Sequence, residues 1–303
     1  MMPIFDAIVI GGSFAGLSAA IHIARGGRTV CVVDSGLPRN RFAEESHGFF
    51  AQDGAAPGAM IATAKAQVSA YPTVSMLAGE AIDASATGPG FAVMLADGTE
   101  LEAARLVLAF GIVDQLPDIP GLAQRWGSTA LHCPYCHGYE FSGRRLGVLR
   151  TGPMSAHQAQ LIAEWGPTTY FLDGGEMPDA ELLGQLHQRK VTIQPEPVSA
   201  LLGEEPSLSA IALADGQEIA LDALYLAPPT RLSSPIAEKL GCAVSEGPLG
   251  PIIVTDDSRM TSVPGVYAAG DIARAPHNAT WAAADGVTAG TSLHQSFVFP
   301  RAA

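Results

Sequence analysis

Cys133-Pro134-Tyr135-Cys136-His137 puts two thiols three residues apart, with an imidazole directly behind the second. Thiols at that spacing open and close a disulfide. The thiolate is the attacking species, and a neighbouring acid or base must handle the proton of the leaving thiol. Proline directly after Cys133 suits a helix start, where backbone N–H groups favour a thiolate. His137 titrates nearer neutrality than a carboxyl group, so it accepts the proton of an incoming dithiol as readily as it donates one.

Three other chemistries fit the same letters. C-x-x-C-H matches c-type haem attachment, which belongs with exported proteins, and no export signal is visible. Zinc would use Cys133 and Cys136 with His132 or His137. Adjacent residues rarely converge on one tetrahedral centre, however, and there is no second cysteine pair. An inert buried pair does not require this spacing. Redox use is the expectation, with no metal. The remaining cysteines, Cys31 and Cys242, lie in apolar runs and read as small buried hydrophobes.

The chain that must position these groups has 303 residues, a prior of about two domains, and its 48% hydrophobic content supplies a core for each. A formal charge of -13 with no lysine/arginine run argues against nucleic acid and anionic membrane surfaces as partners. No apolar run approaches membrane-spanning length. A strand pattern already begins at Ile4 (IFDAIVI), which leaves no room for a secretory signal, so a cytoplasmic location is expected.

Residues 4–34 read as strand, glycine turn, amphipathic helix (Leu17 to Arg25) and a strand from Thr29 to Val33 that ends in Asp34. The order recurs later, with a strand at Leu146 to Leu149, a helix at Met154 to Trp165 and a strand at Thr168 to Leu172 before Asp173. Such recurrence predicts an internal duplication. Alternating segments at 91–95, 101–110, 191–193 and 209–213, with turns at Asp97-Gly98 and Asp215-Gly216, predict the meanders that complete each unit. Pro117, Pro120, Pro228, Pro229 and Pro235 mark crossings between domains. The predicted class is α/β: two Rossmann-like, three-layer ββα dinucleotide-binding domains, one inserted in the other. The outer domain takes 1–113 plus 235–303, and the insert takes 114–234.

Gly11-Gly12-Ser13-Phe14-Ala15-Gly16 follows the first strand and opens the first helix, where backbone N–H groups would face a pyrophosphate. Ser13 stands at the middle glycine position. Asp34, 18 residues after Gly16, is placed to accept from a ribose diol. Near the end, Val263-Pro264-Gly265-Val266-Tyr267-Ala268-Ala269-Gly270-Asp271 is a strand running into Gly-Asp, followed by an alanine-rich helix that begins near Asn278 to Trp281.

GGSFAG, LAFG at 108–111, CPYCHGYE and SVPGVYAAGD, in this order over almost the whole chain, resemble the low-molecular-weight thioredoxin reductases and their relatives. The resemblance implies a homodimer that binds FAD, with Gly11, Gly12, Ser13, Phe14, Ala15, Gly16, Asp34, Arg41, Gly111, Gly270, Asp271, Trp281 and Ala282 in the cofactor site. Asp271 would hold the ribityl chain, and the next helix would point its N-terminus at the isoalloxazine. Cys136 would face the flavin and Cys133 would exchange with a dithiol or disulfide substrate, either a small molecule or a thioredoxin-like protein. The family's reductases carry an acid after the second cysteine, where this chain has His137.

The inserted nucleotide turn departs from the pattern. Its strand runs into Arg150-Thr151-Gly152-Pro153-Met154-Ser155, so only the middle fingerprint glycine survives. Residues 166–188 hold no lysine or arginine and four acids, Asp173, Glu176, Asp179 and Glu181, which would repel the 2′-phosphate of NADPH. Asp173 is placed for the ribose of NADH, although the altered turn weakens that option too. NAD(P)H use is therefore doubtful. Relatives that look similar around CPYCHGYE include oxidases that close a dithiol in a small natural product. The alternatives are a reductase fed by NADH, NADPH or a protein donor, and a flavin redox sensor without catalysis. Two further segments leave two readings each: His47-Gly48-Phe49-Phe50 lines the flavin or substrate site or packs as a loop, and the tail Ser296-Phe297-Val298-Phe299-Pro300 covers the flavin face or, as the stronger reading, packs or frays as an ordinary chain end.

Overall fold

The computed structural model describes residues 4–299, which form two compact units. The first comprises 1–41, 58–113 and 230–303, and the second 42–57 and 114–229.

In the first unit, strand β1 (Ile4–Ile10), helix α1 (Phe14–Arg25) and strand β2 (Val30–Asp34) form the opening βαβ. Helix α2 (Pro57–Ser69) leads to β3 (Val74–Ala78). A meander of β4 (Ala81–Thr87), β5 (Gly90–Leu95) and β6 (Glu100–Leu108) completes a sheet of order β3-β2-β1-β6-β5-β4. β1 pairs in parallel with both β2 and β6, and the strand Val266–Ala268 pairs in parallel with the end of β6. Alternation divides the core cleanly between the two faces. Ile8, Ile10, Cys31, Val33, Leu106 and Leu108 pack with the meander residues Phe91 and Val93. Ala7, Val9, Val30, Val32 and Val107 pack with α1 and the C-terminal helix Ala279–Val298.

Small residues let those two helices touch. A Cβ on Gly286 would lie 2.1 Å from the carbonyl oxygen of Ala15, and one on Gly290 would lie 2.5 Å from that of Ala19. Asn278 caps the C-terminal helix by accepting from the Thr280 N–H at 2.8 Å.

The second unit repeats the plan. Its parallel sheet runs Thr192–Gln194, Thr168–Phe171, Leu146–Leu149, Ala223–Tyr225, Ala130–Leu131. A three-stranded antiparallel meander, Val198–Leu202, Ala210–Leu213 and Glu218–Ala220, covers the face that presents Leu149, Phe171 and Leu224. Helices Ser155–Ile162 and Ala180–Gln188 cover the face that presents Val148, Tyr170 and Tyr225. The two-unit, Rossmann-like α/β class read from the sequence is the class observed. No helix among the described residues is long and apolar enough to cross a membrane.

Overpacking this helix contact gives a direct test of this core. Gly290→Val drives two methyl groups into the Ala19 backbone and should lower the unfolding free energy by about 1–3 kcal/mol, read from the denaturant midpoint.

Candidate active site

At the C-terminal end of β1 the chain turns into α1 with no room for side chains. A Cβ on Gly16 would meet the Gly11 carbonyl oxygen at 1.8 Å, and one on Gly12 would meet the Asp34 carboxyl carbon at 2.5 Å. The Ser13 hydroxyl makes no capping bond and no acid occupies the first turn of α1, which leaves this helix start suited to a phosphate. Asp34 accepts from the Gly12 N–H at 3.3 Å and the Gly36 N–H at 3.1 Å, and pairs with the Lys65 ammonium. Burial raises its carboxyl, but the Lys65 hydrogen bond and charge, with the two amides, outweigh burial and hold it below the usual range. Asp34 is therefore an ionised acceptor.

The Gly-Asp turn comes to the same place. Gly270 sits where a Cβ would lie 3.0 Å from that of Ala15 and 3.6 Å from that of Ala282, so the two glycine turns and the C-terminal helix converge. Asp271 accepts from the Arg39 guanidinium at 3.1 Å. Arg41, two residues on, is exposed and donates to the Pro38 carbonyl at 3.0 Å. Trp281 is half exposed under the Arg274 guanidinium, 4.9 Å from its ring centre. Gly111 takes a left-handed φ of 78° just after β6, and its carbonyl accepts from the Ser233 N–H.

The tail does not cover the glycine turn. Phe297 is held between the Arg28 and Arg105 guanidinium groups, 4.6 and 5.0 Å from its ring centre. Arg105 pairs in register with Ala7 and Arg28 precedes β2, so this is the side of the sheet where β1 starts, away from the glycine turn. The reason is length: 20 helical residues from Ala279 span about 30 Å. Phe299 is exposed, and Pro300 lies outside the described residues.

In the second unit, the edge strand Ala130–Leu131 runs straight into the thiol turn. Cys133 and Cys136 are disulfide-bonded with Cα atoms 5.3 Å apart, and Pro134–His137 forms a single helical turn. Three groups hold that turn. The Gly138 N–H donates to the Pro134 carbonyl at 2.7 Å. A Cβ on Gly138 would strike the Trp165 ring at 2.7 Å, and Trp165 meets Tyr135 edge-on at 5.7 Å. The Tyr225 hydroxyl donates to the His137 carbonyl at 3.1 Å from a fully buried ring, and burial with the Glu140 charge keeps that phenol protonated.

His137 is partly buried, and desolvation pulls its imidazole below the ordinary value of 6.5. Glu140 and Glu45 oppose this shift and His47 adds to it. His47, from the 42–57 segment, stands edge-on to His137 with ring centres 6.1 Å apart. Sequence reading placed His47 near the pocket but had no signal for Glu45, Glu140, Tyr225 or Trp165, whose approach is set by tertiary packing.

The inserted nucleotide turn is occupied by its own chain. The Ser155 hydroxyl accepts from the Thr151 and Gly152 N–H groups at 2.9 and 3.2 Å. The Arg150 guanidinium lies against Gly175, where a Cβ would be 1.6 Å from its nitrogen. Asp173 accepts from the Val198 N–H at 2.8 Å, and Asp179 caps its helix through the Leu182 N–H at 2.9 Å. Cys31 and Cys242 are buried, and burial raises both thiols, Cys31 to about 11.

A family model described as pyridine nucleotide-disulphide oxidoreductase matches residues 5–286. The chain belongs to this family. Among its relatives, thioredoxin reductase tcpT of Claviceps purpurea is 34% identical over 88% of this chain and 86% of its own. Thioredoxin reductase sirT of Leptosphaeria maculans is 31% identical over 96% and 94%. A crystal structure of an oxidoreductase from Agrobacterium tumefaciens superposes with a TM-score of 0.94 at 43% identity, covering 99% of this chain and all of that one. This pyridine nucleotide-disulphide oxidoreductase is thus thioredoxin-reductase-like.

Removing one hydroxyl tests what holds the thiol turn. Tyr225→Phe leaves the His137 carbonyl without its donor and should cost about 1 kcal/mol of stability, read by chemical denaturation.

Proposed function

We propose that the protein is a homodimeric FAD enzyme that oxidises a dithiol at Cys133–Cys136, with oxygen as the final electron acceptor. The observation that carries this reading is the inserted nucleotide turn, where Arg150, Ser155 and the Asp173–Val198 bond engage the groups a nicotinamide dinucleotide would need. Neither helix start carries a side-chain cap, but the Ser155 hydroxyl accepts from two N–H groups of the inserted turn, whereas in the first turn Asp34 accepts from Gly12 alone.

Residues of the first unit fit FAD. The turn Gly11–Gly16 would take the pyrophosphate, Asp34 the adenosine ribose and Asp271 the ribityl hydroxyls, with the Asn278-capped helix facing the ring. When bound, FAD supplies the two-electron acceptor that returns the thiol pair to a disulfide and passes the electrons to oxygen.

The chain's own groups manage sulfur and protons. A substrate thiolate attacks Cys133 and Cys136 leaves as thiolate. His137, neutral because burial disfavours its charged form, is the base that takes the substrate proton. The substrate is a small molecule or a protein that carries two thiols.

The test mixes the yellow protein anaerobically with dithiothreitol, NADH and NADPH in turn. Bleaching by the dithiol, reversed by air, is the expected result, while rapid bleaching by NADPH or NADH would establish the opposite, reductase direction. A redox sensor would show bleaching without steady oxygen consumption. Cys136→Ser should abolish dithiol bleaching, and unchanged bleaching removes it from its role. His137→Ala should slow the step by about 10²-fold. Because burial lowers the His137 pKa, its neutral form persists into more acidic solution, so the acid limb of the wild-type rate profile should fall below pH 6.5. The alanine variant should lose that limb.

A further inference from the structure

Dithiol oxidation at a protein disulfide leaves a surplus of protons, and the geometry around His137 points to where they go. Two S–H bonds of the substrate break and one S–S bond forms there. One S–S bond breaks between Cys133 and Cys136, which receive the two electrons as a pair of thiolates, and two protons are released. His137 accepts one. To accept the second it must first hand the first on.

His47 stands edge-on to His137 with ring centres 6.1 Å apart, a separation at which one water bridging the two rings would complete a transfer path. His47 is largely enclosed, with 17% of its side chain exposed. Both of its ring nitrogens face carboxylates. Nε2 is 3.5 Å from Glu45 and 3.5 Å from Glu140, and Nδ1 is 3.7 Å from Asp53. Glu45 and Asp53 are open to water, with 60% and 76% of their side chains exposed. The 42–57 segment is pinned for this purpose, because Asp53 also accepts from the Gly48 N–H at 2.8 Å and Ser46 and Ala55 bridge in antiparallel fashion. The groups that face the pair are therefore Glu45 and Asp53 from this segment, Glu140 from the thiol turn and the protonated Tyr225 hydroxyl beneath it.

We propose that His47 is a positioning residue and proton relay for the thiol pair, passing protons from His137 to Glu45, Asp53 and Glu140 and so to water. The proposal rests on the dithiol reading above. It predicts that His47→Gln, which keeps the shape of the side chain but cannot carry a proton, slows reduction of Cys133–Cys136 by about tenfold.

The test follows reduction of that disulfide in the flavin-loaded protein by dithiothreitol, under anaerobic rapid mixing, with alkylation quench and mass counting of free thiols. His47→Gln should be slow, and His47→Ala should be slow and recover with added imidazole in proportion to its concentration. Glu140→Gln, at the surface of the turn, should be slower than wild type but add little to His47→Gln in the double variant. Wild-type rates in His47→Gln, or a loss in His47→Ala that imidazole does not restore, overturn the relay. Fully additive losses overturn it as well. If both His47 variants lose the fold, additivity cannot be read, and a Glu140→Gln profile identical to wild type between pH 5 and 8 then overturns it. A wild-type disulfide reduced normally alongside any of these results leaves the dithiol reading standing, whereas a wild-type disulfide that resists dithiothreitol overturns both.

Discussion

The backbone contact between α1 and the helix Ala279–Val298 fixes how three turns of the first unit come together. Gly286 and Gly290 bring that helix onto the carbonyls of Ala15 and Ala19. The consequence is transmitted along both helices to their N-terminal ends. There the uncapped turn of Gly11–Gly16, the Gly270-Asp271 turn and the start of the C-terminal helix converge. Any side chain at either glycine would part the helices and with them three segments that are far apart in sequence. Burial supports the arrangement from below: Asp285, 3% exposed on the same helix, is paired with Arg259 at 2.5 Å. Desolvation raises its carboxyl, while the Arg259 and Arg274 charges and the Gly270 amide pull the other way.

The same βαβ plan, used twice, has diverged in what its turns do. In the first unit the Ser13 side chain makes no cap bond and no acid stands in the first turn of the helix, and Asp34 is held ionised by Lys65 and two amides. In the second unit, Arg150 and Asp173 are spent on internal contacts, and Asp179 is a helix cap. An acidic surface follows from the same substitutions, because residues 166–188 contain no cation to offset their four acids. The unit has kept its sheet and lent its edge strand to the thiol turn. Fold and turn chemistry are separable here because the core residues alternate along the strands while the turn residues sit at their ends.

Much of this was legible in the sequence, for a definite reason. Strand alternation, the glycine turns and the cysteine spacing are local patterns, and Leu146–Leu149 and the meander turns at Asp97-Gly98 and Asp215-Gly216 fell where they were read. Non-local pairings left no such trace. Arg39 meets Asp271 across more than 200 residues of chain, and no periodicity reports that. Residues 42–57 pack with the second unit although they lie in the first half of the chain, so the neighbours of His47 were not visible. Of the two readings open for the tail, packing holds for Phe297, because the helix that carries it runs the length of the sheet before it ends.

The thiol turn poses a matching problem that composition alone does not answer. A thiol near 8.5 gives its proton uphill to a carboxylate near 4, and that climb is about 3 kcal/mol steeper than the climb to an imidazole near 6.5. His137 in place of an acid therefore makes acceptance from a thiol easier, and gives up the same amount of driving force for donation to a leaving thiolate. Burial takes back part of that advantage by lowering the imidazole, and in doing so favours the unprotonated ring. Glu140 and Glu45 limit how far the pKa falls, and they do so without adding a cation beside the disulfide. A base that starts neutral, is lifted by nearby carboxylates and adjoins a second imidazole is arranged to be emptied as fast as it fills. That property has value only where protons arrive in pairs, as they do when a dithiol closes to a disulfide.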